Sequence, residues 1–404
     1  MVAPKKKLYI RTFGCQMNVA DSEQLAQLLA PEYERTFRAE EADLYLINTC
    51  AIRRKAEEKV KSLMGSLKFL KARRPELIIG VGGCVAQQEG ERLLNAAPHL
   101  NLVFGTQASL RLPELVRRAA RGQRLVDVEL TTGLQELPAH PWSPGALQAL
   151  VTIMQGCDNF CTYCVVPYVR GREASREPEA ITNEVADFLA AGGVEVTLLG
   201  QNVNSYGRGL GASITFSQLL RRLNDLPGLQ RLRFATSNPR DLSAELIAAF
   251  GELPALCEHL HLPVQSGSNP ILKAMNRGYS REEYLEKVAR LRQSCPGLAL
   301  STDLIVGFPG ETEADFAQTL DLMRQAAFAQ AFSFKYSPRP QTRAAGFPDQ
   351  IPEEVKTERL TRLQALQDEL TLAAHARLVG QVVEVLVEGL SKRDPAQLCG
   401  RLRT

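Results

Sequence analysis

The feature that most constrains this chain is a repeated pair: a short, β-rich apolar run followed by an amphipathic helical stretch. In the first third the pairs are "KLYIRTF" with "VADSEQLAQLLA", "DLYLIN" with "IRRKAEEKVKSLMGSLKFLKARR", and "ELIIGVGG" with "AQQEGERLLNAA". Such alternation builds βα units, which assemble into a parallel sheet covered by helices. An α/β fold is expected, beginning with an N-terminal open parallel-sheet domain over residues 5–122. A proline-rich stretch without periodicity, Thr131 to Ala146, carries the only tryptophan and reads as an interdomain linker. The pattern then resumes from "LVTIMQG" to "AFSFKYS" with about six βα units, fewer than the eight of a closed barrel. A partial (βα)6 barrel is expected, in a core domain over 143–373. A helical stretch of leucines and charges, about Glu353 to Leu378, leads into "GQVVEVLVEG", whose alternation predicts the start of a β module over 376–404.

With 404 residues and 45% hydrophobic composition, the chain can bury cores enough for two or three domains. No apolar run approaches the roughly 20 residues of a membrane span. The basic start "MVAPKKKLYIRTFGC" passes into a strand-like segment rather than a signal-peptide hydrophobic region. A soluble, cytoplasmic protein without a membrane partner is expected, monomeric by default. A net charge of +3 is too small to imply a polyanionic partner, so basic clusters are weighed locally.

Nine cysteines without an export signal disfavour a disulfide framework and favour metal or redox chemistry. Cys15, Cys50 and Cys84 each sit just past a β-rich run, and the carboxyl ends of parallel strands line one crevice. Thiols far apart in sequence can therefore meet. The bland alternative is three small hydrophobes buried at strand ends. Cys157, Cys161 and Cys164 are spaced C-x3-C-x2-C in "QGCDNFCTYCVVPYVRGREASR". Structural zinc wants a fourth ligand that the neighbourhood lacks, and disulfide pairing leaves one thiol over. Three thiolates suit an iron-sulfur cluster with one open iron, a position that the amino and carboxylate groups of S-adenosylmethionine (SAM) can chelate.

This spacing after the first barrel strand, with Tyr163 before the last cysteine, resembles the radical-SAM superfamily. The strings "FGCQMN", "NTCAIRRKAEEKV" and "GGCVAQ", together with "IMQGCDNFCTYCVVPYVRGREASR", resemble the methylthiotransferase family over nearly the whole chain. The resemblance implies two 4Fe-4S clusters. Cys157, Cys161 and Cys164 would hold one with SAM, and Cys15, Cys50 and Cys84 an auxiliary one. It implies methylthiolation at C2 of an N6-dimethylallyladenosine immediately 3′ of a tRNA anticodon, with two SAM, an external sulfur donor and an external electron donor. "GQVVEVLVEGLSKRD" is similar to the opening of a TRAM domain, an RNA-binding β-barrel, and stops early. Sister enzymes acting on threonylcarbamoyladenosine in tRNA, or on an aspartate of a ribosomal protein, are the neighbouring alternatives. A non-catalytic iron-sulfur scaffold that binds RNA is a more remote one.

Polar residues at strand ends are candidates for the SAM pocket: Gln201, Asn202, Ser237, Gln265 and Asp303, with Tyr163 beside the cluster. Turn capping is the alternative for each. Arg170, Arg172 and Arg176 follow the cysteine loop and are candidates for anticodon-loop phosphates or splayed bases, against a solvated face or ion pairs. Arg53, Arg54 and Lys55 look like an exposed helix face. His259 and His261 share a strand face without completing a zinc site. "GVGGC" and "GFPGET" lack the dinucleotide and P-loop fingerprints and read as tight turns. Cys257, Cys295 and Cys399 are taken as structural.

Overall fold

The computed structural model describes residues 4–404 except 52–53, 132, 135–141, 143–144, 212–213 and 392. Most of the expected linker therefore lies outside the described residues, as do Arg53 and the side chains of Arg54 and Lys55. The chain forms two compact units. The first comprises Met1–Pro141, Gln155–Asp158 and Cys164–Ala174; the second comprises Trp142–Met154, Asn159–Tyr163 and Ser175–Thr404.

The first unit is built on strands β1 (Lys6–Thr12), β2 (Tyr33–Arg35), β3 (Leu44–Thr49), β4 (Ile78–Gly83), β5 (Leu102–Phe104) and β6 (Leu125–Asp127). They form one sheet in the order β2-β1-β3-β4-β5-β6, parallel throughout. Its helices are α1 (Gln16–Leu29), α2 (Arg54–Arg73), α3 (Cys84–Glu89), α4 (Glu91–Ala96) and α5 (Leu112–Ala120). Every residue of β3 and β4 is buried, as a central parallel strand covered on both faces requires. Successive side chains alternate between faces. Leu44 and Leu46 pack with Leu25 and Leu29 of α1 and Leu112 and Val116 of α5. Tyr45 and Ile47 pack with Val60 and Leu67 of α2 and Leu93 of α4.

Along the chain, β7 (Gln148–Thr152) and β8 (Met154–Gln155) precede α6 (Val166–Arg170) and β9 (Ala174–Ser175). The rest of the second unit's wall is β10 (Glu195–Leu199), β11 (Arg231–Phe234), β12 (His259–His261), β13 (Ala299–Val306) and β14 (Gln330–Lys335). β7, β10 and β11 pair in parallel, as do β12, β13 and β14. The two triplets are joined where Leu232 N–H donates to Ala255 O (2.7 Å) and Cys257 N–H donates to Leu232 O (2.9 Å). Six parallel strands thus follow one another in chain order, the open barrel that the sequence predicts. The crossovers include α7 (Pro178–Ala190), α8 (Phe216–Asn224), α9 (Ala244–Glu252), α10 (Asn269–Ala274), α11 (Arg281–Ser294) and α12 (Glu313–Ala326), and α13 (Glu353–Ala376) follows β14. Thr215, Ser280 and Thr312 open α8, α11 and α12 with capping boxes to Gln218, Glu283 and Asp315, which fixes where each barrel loop gives way to its helix.

The C-terminal module contains one antiparallel pair, β15 (Leu386–Leu390) with β16 (Leu398–Arg401). Its alternating run is strand only from Leu386; Val382 and Val383 lie outside any strand and are exposed. Arg401 and Arg403 dock on the amino ends of the barrel strands. Arg401 Nη2 reaches Glu195 Oε1 (3.0 Å) and Arg403 Nε reaches Glu258 Oε2 (2.9 Å).

Candidate functional site

Sheet order in the first unit reverses between β1 and β3, and ligands of open α/β sheets bind outside the carboxyl ends at such a switch point. Cys15 follows β1, Cys50 follows β3, and Cys84 follows β4 as the first residue of α3. Two glycines permit the loops to close on one another. Gly14 has φ +133°, and a Cβ there would lie 2.6 Å from Cys50 Cβ; at Gly83, φ +89°, it would lie 2.5 Å from Thr49 O. A buried amide network ties the three loops. Asn18 Oδ1 accepts from Cys15 N–H (3.3 Å), and Asn18 Nδ2 donates to Thr49 O (3.0 Å). Asn48 Nδ2 donates to Asn18 O (2.9 Å) and Ser22 Oγ (3.0 Å). Thr49 Oγ1 donates to Gly82 O (2.6 Å) and accepts from Val85 N–H (3.1 Å). The strings "FGCQMN", "NTC" and "GGC" are therefore parts of one hydrogen-bonded assembly.

Its electrostatics favour thiolate at Cys15 and oppose it at Cys84. A hydrogen bond from the Cys50 side chain, followed by the Arg170 charge, holds the Cys15 thiol down at about 6 against the cost of burial. Burial pushes the Cys84 thiol up, and Arg170 opposes that shift.

Arg170 is accordingly not an RNA contact. It is 4% exposed, and its Nη2 donates to Asp21 Oδ2 at 2.6 Å. Nη1 is buried with no nitrogen or oxygen partner among the described residues. Arg176 also turns inward, to Thr152 O (2.8 Å) and Glu184 Oε2 (2.6 Å), with a side chain 12% exposed. In both cases a buried carbonyl or carboxylate outcompetes the surface. Arg172 alone of the three stays outside, its side chain 76% exposed beside Asp158. Phe160 and Tyr168 are exposed aromatics of the cysteine loop and α6, which sequence reasoning overlooked.

Each unit holds its own part of the cysteine loop. In the first, Cys157 N–H donates to Gly171 O (3.3 Å). In the second, Thr162 N–H donates to Met275 O (3.1 Å) and Thr162 Oγ1 to Ala274 O (2.8 Å), while Asn276 Nδ2 reaches the carbonyls of Asn159 and Phe160, both at 3.2 Å. Arg240 donates to Asn159 Oδ1. Arg277, another residue with no motif to announce it, lies against Cys161 Sγ and Tyr163 Oη, each 3.4 Å from its Nη1. Among the described residues, no three His, Cys, Asp or Glu side chains converge as a single metal ion requires. The fit to a cluster rests instead on the donor set, soft thiolates in threes.

The SAM-pocket candidates divide. Ser237, past β11, buries an Oγ with no partner among the described residues, as does Thr152 at the end of β7; such orphaned hydroxyls suit a polar ligand. Asn202 is committed at both ends, donating to Asp241 Oδ2 (2.7 Å) and accepting from Asn238 N–H (3.2 Å), a loop-pinning arrangement. Gln201 is half-buried beside it. Gln265 has φ +75° and bridges to Leu304 through its backbone. Asp303 is not at a strand end: it lies inside β13, opposite Phe332, with its Oδ2 3.5 Å from His261 Nε2. The longer β13 carries its carboxyl end on to Val306. Tyr163 packs with Met275, Phe308 and Tyr336. His259 and His261 share Ser301 Oγ, at 3.2 and 3.0 Å. Cys257 and Cys295 are buried, whereas Cys399, on the hairpin, is exposed.

Comparison with known proteins agrees with this arrangement. Residues 7–105 match a family described as uncharacterized protein family UPF0004, and residues 151–323 match the radical SAM superfamily, which brings SAM and a 4Fe-4S cluster. The radical S-adenosylmethionine methyltransferase TsrM from Kitasatospora setae, solved with cobalamin and a 4Fe-4S cluster bound, shares the fold. Its TM-score is 0.61 at 15% identity, over 85% of this chain and 74% of that one. The tRNA-2-methylthio-N(6)-dimethylallyladenosine synthase of Geobacter metallireducens is 54% identical over 98% of this chain and 90% of its own length. The synthase of the same name from Moorella thermoacetica is 52% identical over 100% and 92%. With its three-cysteine switch point and its C-x3-C-x2-C barrel loop, the chain belongs to the radical SAM superfamily and, within it, to the tRNA-2-methylthio-N(6)-dimethylallyladenosine synthase family.

Proposed function

We propose that this protein is a radical-SAM tRNA methylthiotransferase that converts N6-dimethylallyladenosine beside the anticodon to its 2-methylthio derivative, consuming two SAM and an external sulfur. The observation that carries this reading is the Asn18–Asn48–Thr49 network, which closes three cysteine loops in a chain that also bears a radical-SAM loop. Two sets of three cysteines in one chain would suit a reaction that needs both a radical and a sulfur carrier. An aromatic C–H bond offers neither acidity nor a leaving group, so acid–base catalysis has nothing to act on.

Cys157, Cys161 and Cys164 would hold the 4Fe-4S cluster that binds SAM, and Cys15, Cys50 and Cys84 would hold an auxiliary cluster. When bound, the clusters and SAM supply the electron, the radical initiator, the methyl group and the sulfur-carrying position. The chain's own residues do the rest. Cys15, with its thiol near 6, enters the site as thiolate at neutral pH. Ser237 and Thr152 offer hydroxyls to the polar parts of SAM. The exposed Arg172 would meet anticodon-loop phosphate, and the exposed rings of Phe160 and Tyr168 are each candidates to stack on a splayed base. In domain terms, residues 5–122 carry the auxiliary site and 143–373 the radical site. Residues 376–404 begin an RNA-binding TRAM module.

Mass spectrometry of tRNA nucleosides from a strain lacking the gene tests the reading. The 2-methylthio nucleoside should disappear and dimethylallyladenosine accumulate; an unchanged 2-methylthio level rejects it. In vitro, Cys161→Ala should abolish 5′-deoxyadenosine formation, whereas Cys50→Ala should retain it and lose the methylthio product.

A further inference from the structure

Arg277 is 6% exposed and sits among apolar and aromatic groups of the second unit. Each of its nitrogens is placed. Nε donates to Tyr279 Oη (2.9 Å) and Nη2 to Pro263 O (2.8 Å), leaving Nη1 to face Cys161 Sγ and Tyr163 Oη, both at 3.4 Å. Among the described residues no carboxylate pairs with it, in contrast to three other buried arginines: Arg170 has Asp21, Arg359 has Glu311 and Arg231 has Glu384. A buried guanidinium without a counter-anion is strongly unfavourable. The neighbour that would become an anion on ligating a cluster is Cys161, whose Sγ faces Nη1.

The backbone around Arg277 grips the same loop. Met275 O, Ala274 O and the Asn276 side chain bind Thr162, Asn159 and Phe160. Asn276 and Gly278, on either side of Arg277, both have positive φ, +59° and +72°, so the turn that aims the guanidinium is specified locally.

We propose that Arg277 is a positioning residue for the radical-SAM cluster: its N–H···S bond and positive charge on the Cys161 thiolate make the cluster easier to reduce. Reduction adds one electron to an already anionic assembly of irons, sulfides and thiolates, and hydrogen bonds to the sulfurs are among the factors that set its potential. The electron comes from a low-potential one-electron donor, and no bond to Arg277 forms or breaks. The inference rests on Cys161 being a cluster ligand.

The test is a dithionite titration of anaerobically reconstituted enzyme, followed by EPR in the absence of SAM, on wild type, Arg277→Gln and Arg277→Lys. Arg277→Gln should shift the reduction equilibrium at least tenfold against the reduced cluster, about 59 mV for one electron. Arg277→Lys, which keeps the charge and loses the planar fork, should shift it less. An unchanged midpoint in a variant that holds the cluster overturns the proposal, even if its KM for SAM rises, since that would place Arg277 on the SAM carboxylate. If neither variant holds the cluster, circular dichroism decides. Retained secondary structure supports the proposal, and general unfolding assigns Arg277 to the core and overturns it. Should Cys161→Ala leave the iron content intact, the ligand reading itself fails instead.

Discussion

Arg170 and Asp21 form an ion pair of 2.6 Å at the edge of the Cys15–Cys84 site, with the guanidinium almost fully enclosed. The pair places positive charge beside two thiols that burial alone would keep neutral. An arginine that reads as a phosphate contact in sequence is thus part of the first unit's interior. Its substitution should behave unlike that of Arg172. Arg172→Gln is expected to lower the salt slope of tRNA binding by about one. Arg170→Gln should leave the slope alone, lower the iron content of the Cys15 site and destabilise the fold by about 2–3 kcal/mol, because it strands a partly buried carboxylate. Binding titrations at several salt concentrations, iron analysis and denaturant melts check the three effects.

Asn48 links the loops of two cysteines. Its side chain donates to Asn18 O and Ser22 Oγ, and neither acceptor has ready access to water. Asn48→Ala should cost about 1–3 kcal/mol for the buried groups left unsatisfied. It should also halve iron incorporation, while the SAM-linked cluster keeps its EPR signal. Loss of both signals together would show that the network serves the whole fold rather than one site.

The sequence displayed the βα alternation, the barrel and the six cysteines, because period-2 and period-3.6 patterns and fixed thiol spacings survive in one dimension. It did not display which polar residues turn inward. Arg170 and Arg176 look like Arg172 in the string "VRGREASR", and only packing distinguishes them. Asn18 and Asn48 were visible as neighbours of Cys15 and Cys50, and an amide three residues after a strand-end cysteine is a capping signal that could have marked the first. Asp303 fell inside its strand because an apolar run does not announce where pairing stops. Arg277 carried no local mark of its place beside the cysteine loop, since Cys161 and Tyr163 lie more than a hundred residues upstream.

Glu195, at the amino end of β10, is 1% exposed and accepts from Arg233 (3.2 Å) and from Arg401 (3.0 Å) of the C-terminal hairpin. Arg401→Ala removes one of three cations from a buried carboxylate, Arg231 lying 4.0 Å away as the third. Since Arg233 remains and Arg401 is itself half-exposed, the expected cost is about 1–2 kcal/mol. Glu195→Gln should partly offset it, as the amide needs no counter-charge. Melting curves of the two single variants and the double variant measure the coupling.

His259 gives the pH dependence a sign. Burial first, then the nearby charges of Arg233 and His261, press its pKa down to about 4 from 6.5. Between those values the unfolded chain takes up a proton that the folded ring, held against Ser301, does not. Stability is therefore complete above the unfolded value and is lost as pH falls towards about 4. By linkage the loss from this one ring at pH 5.5 is about 1.4 kcal/mol. Denaturant melts at pH 7.5 and 5.5 should show wild type losing that much more than His259→Gln, whose amide does not titrate. Equal losses in the two proteins would mean that the ring is protonated in the folded barrel, which requires an anion closer to it than Asp303, on the far side of His261.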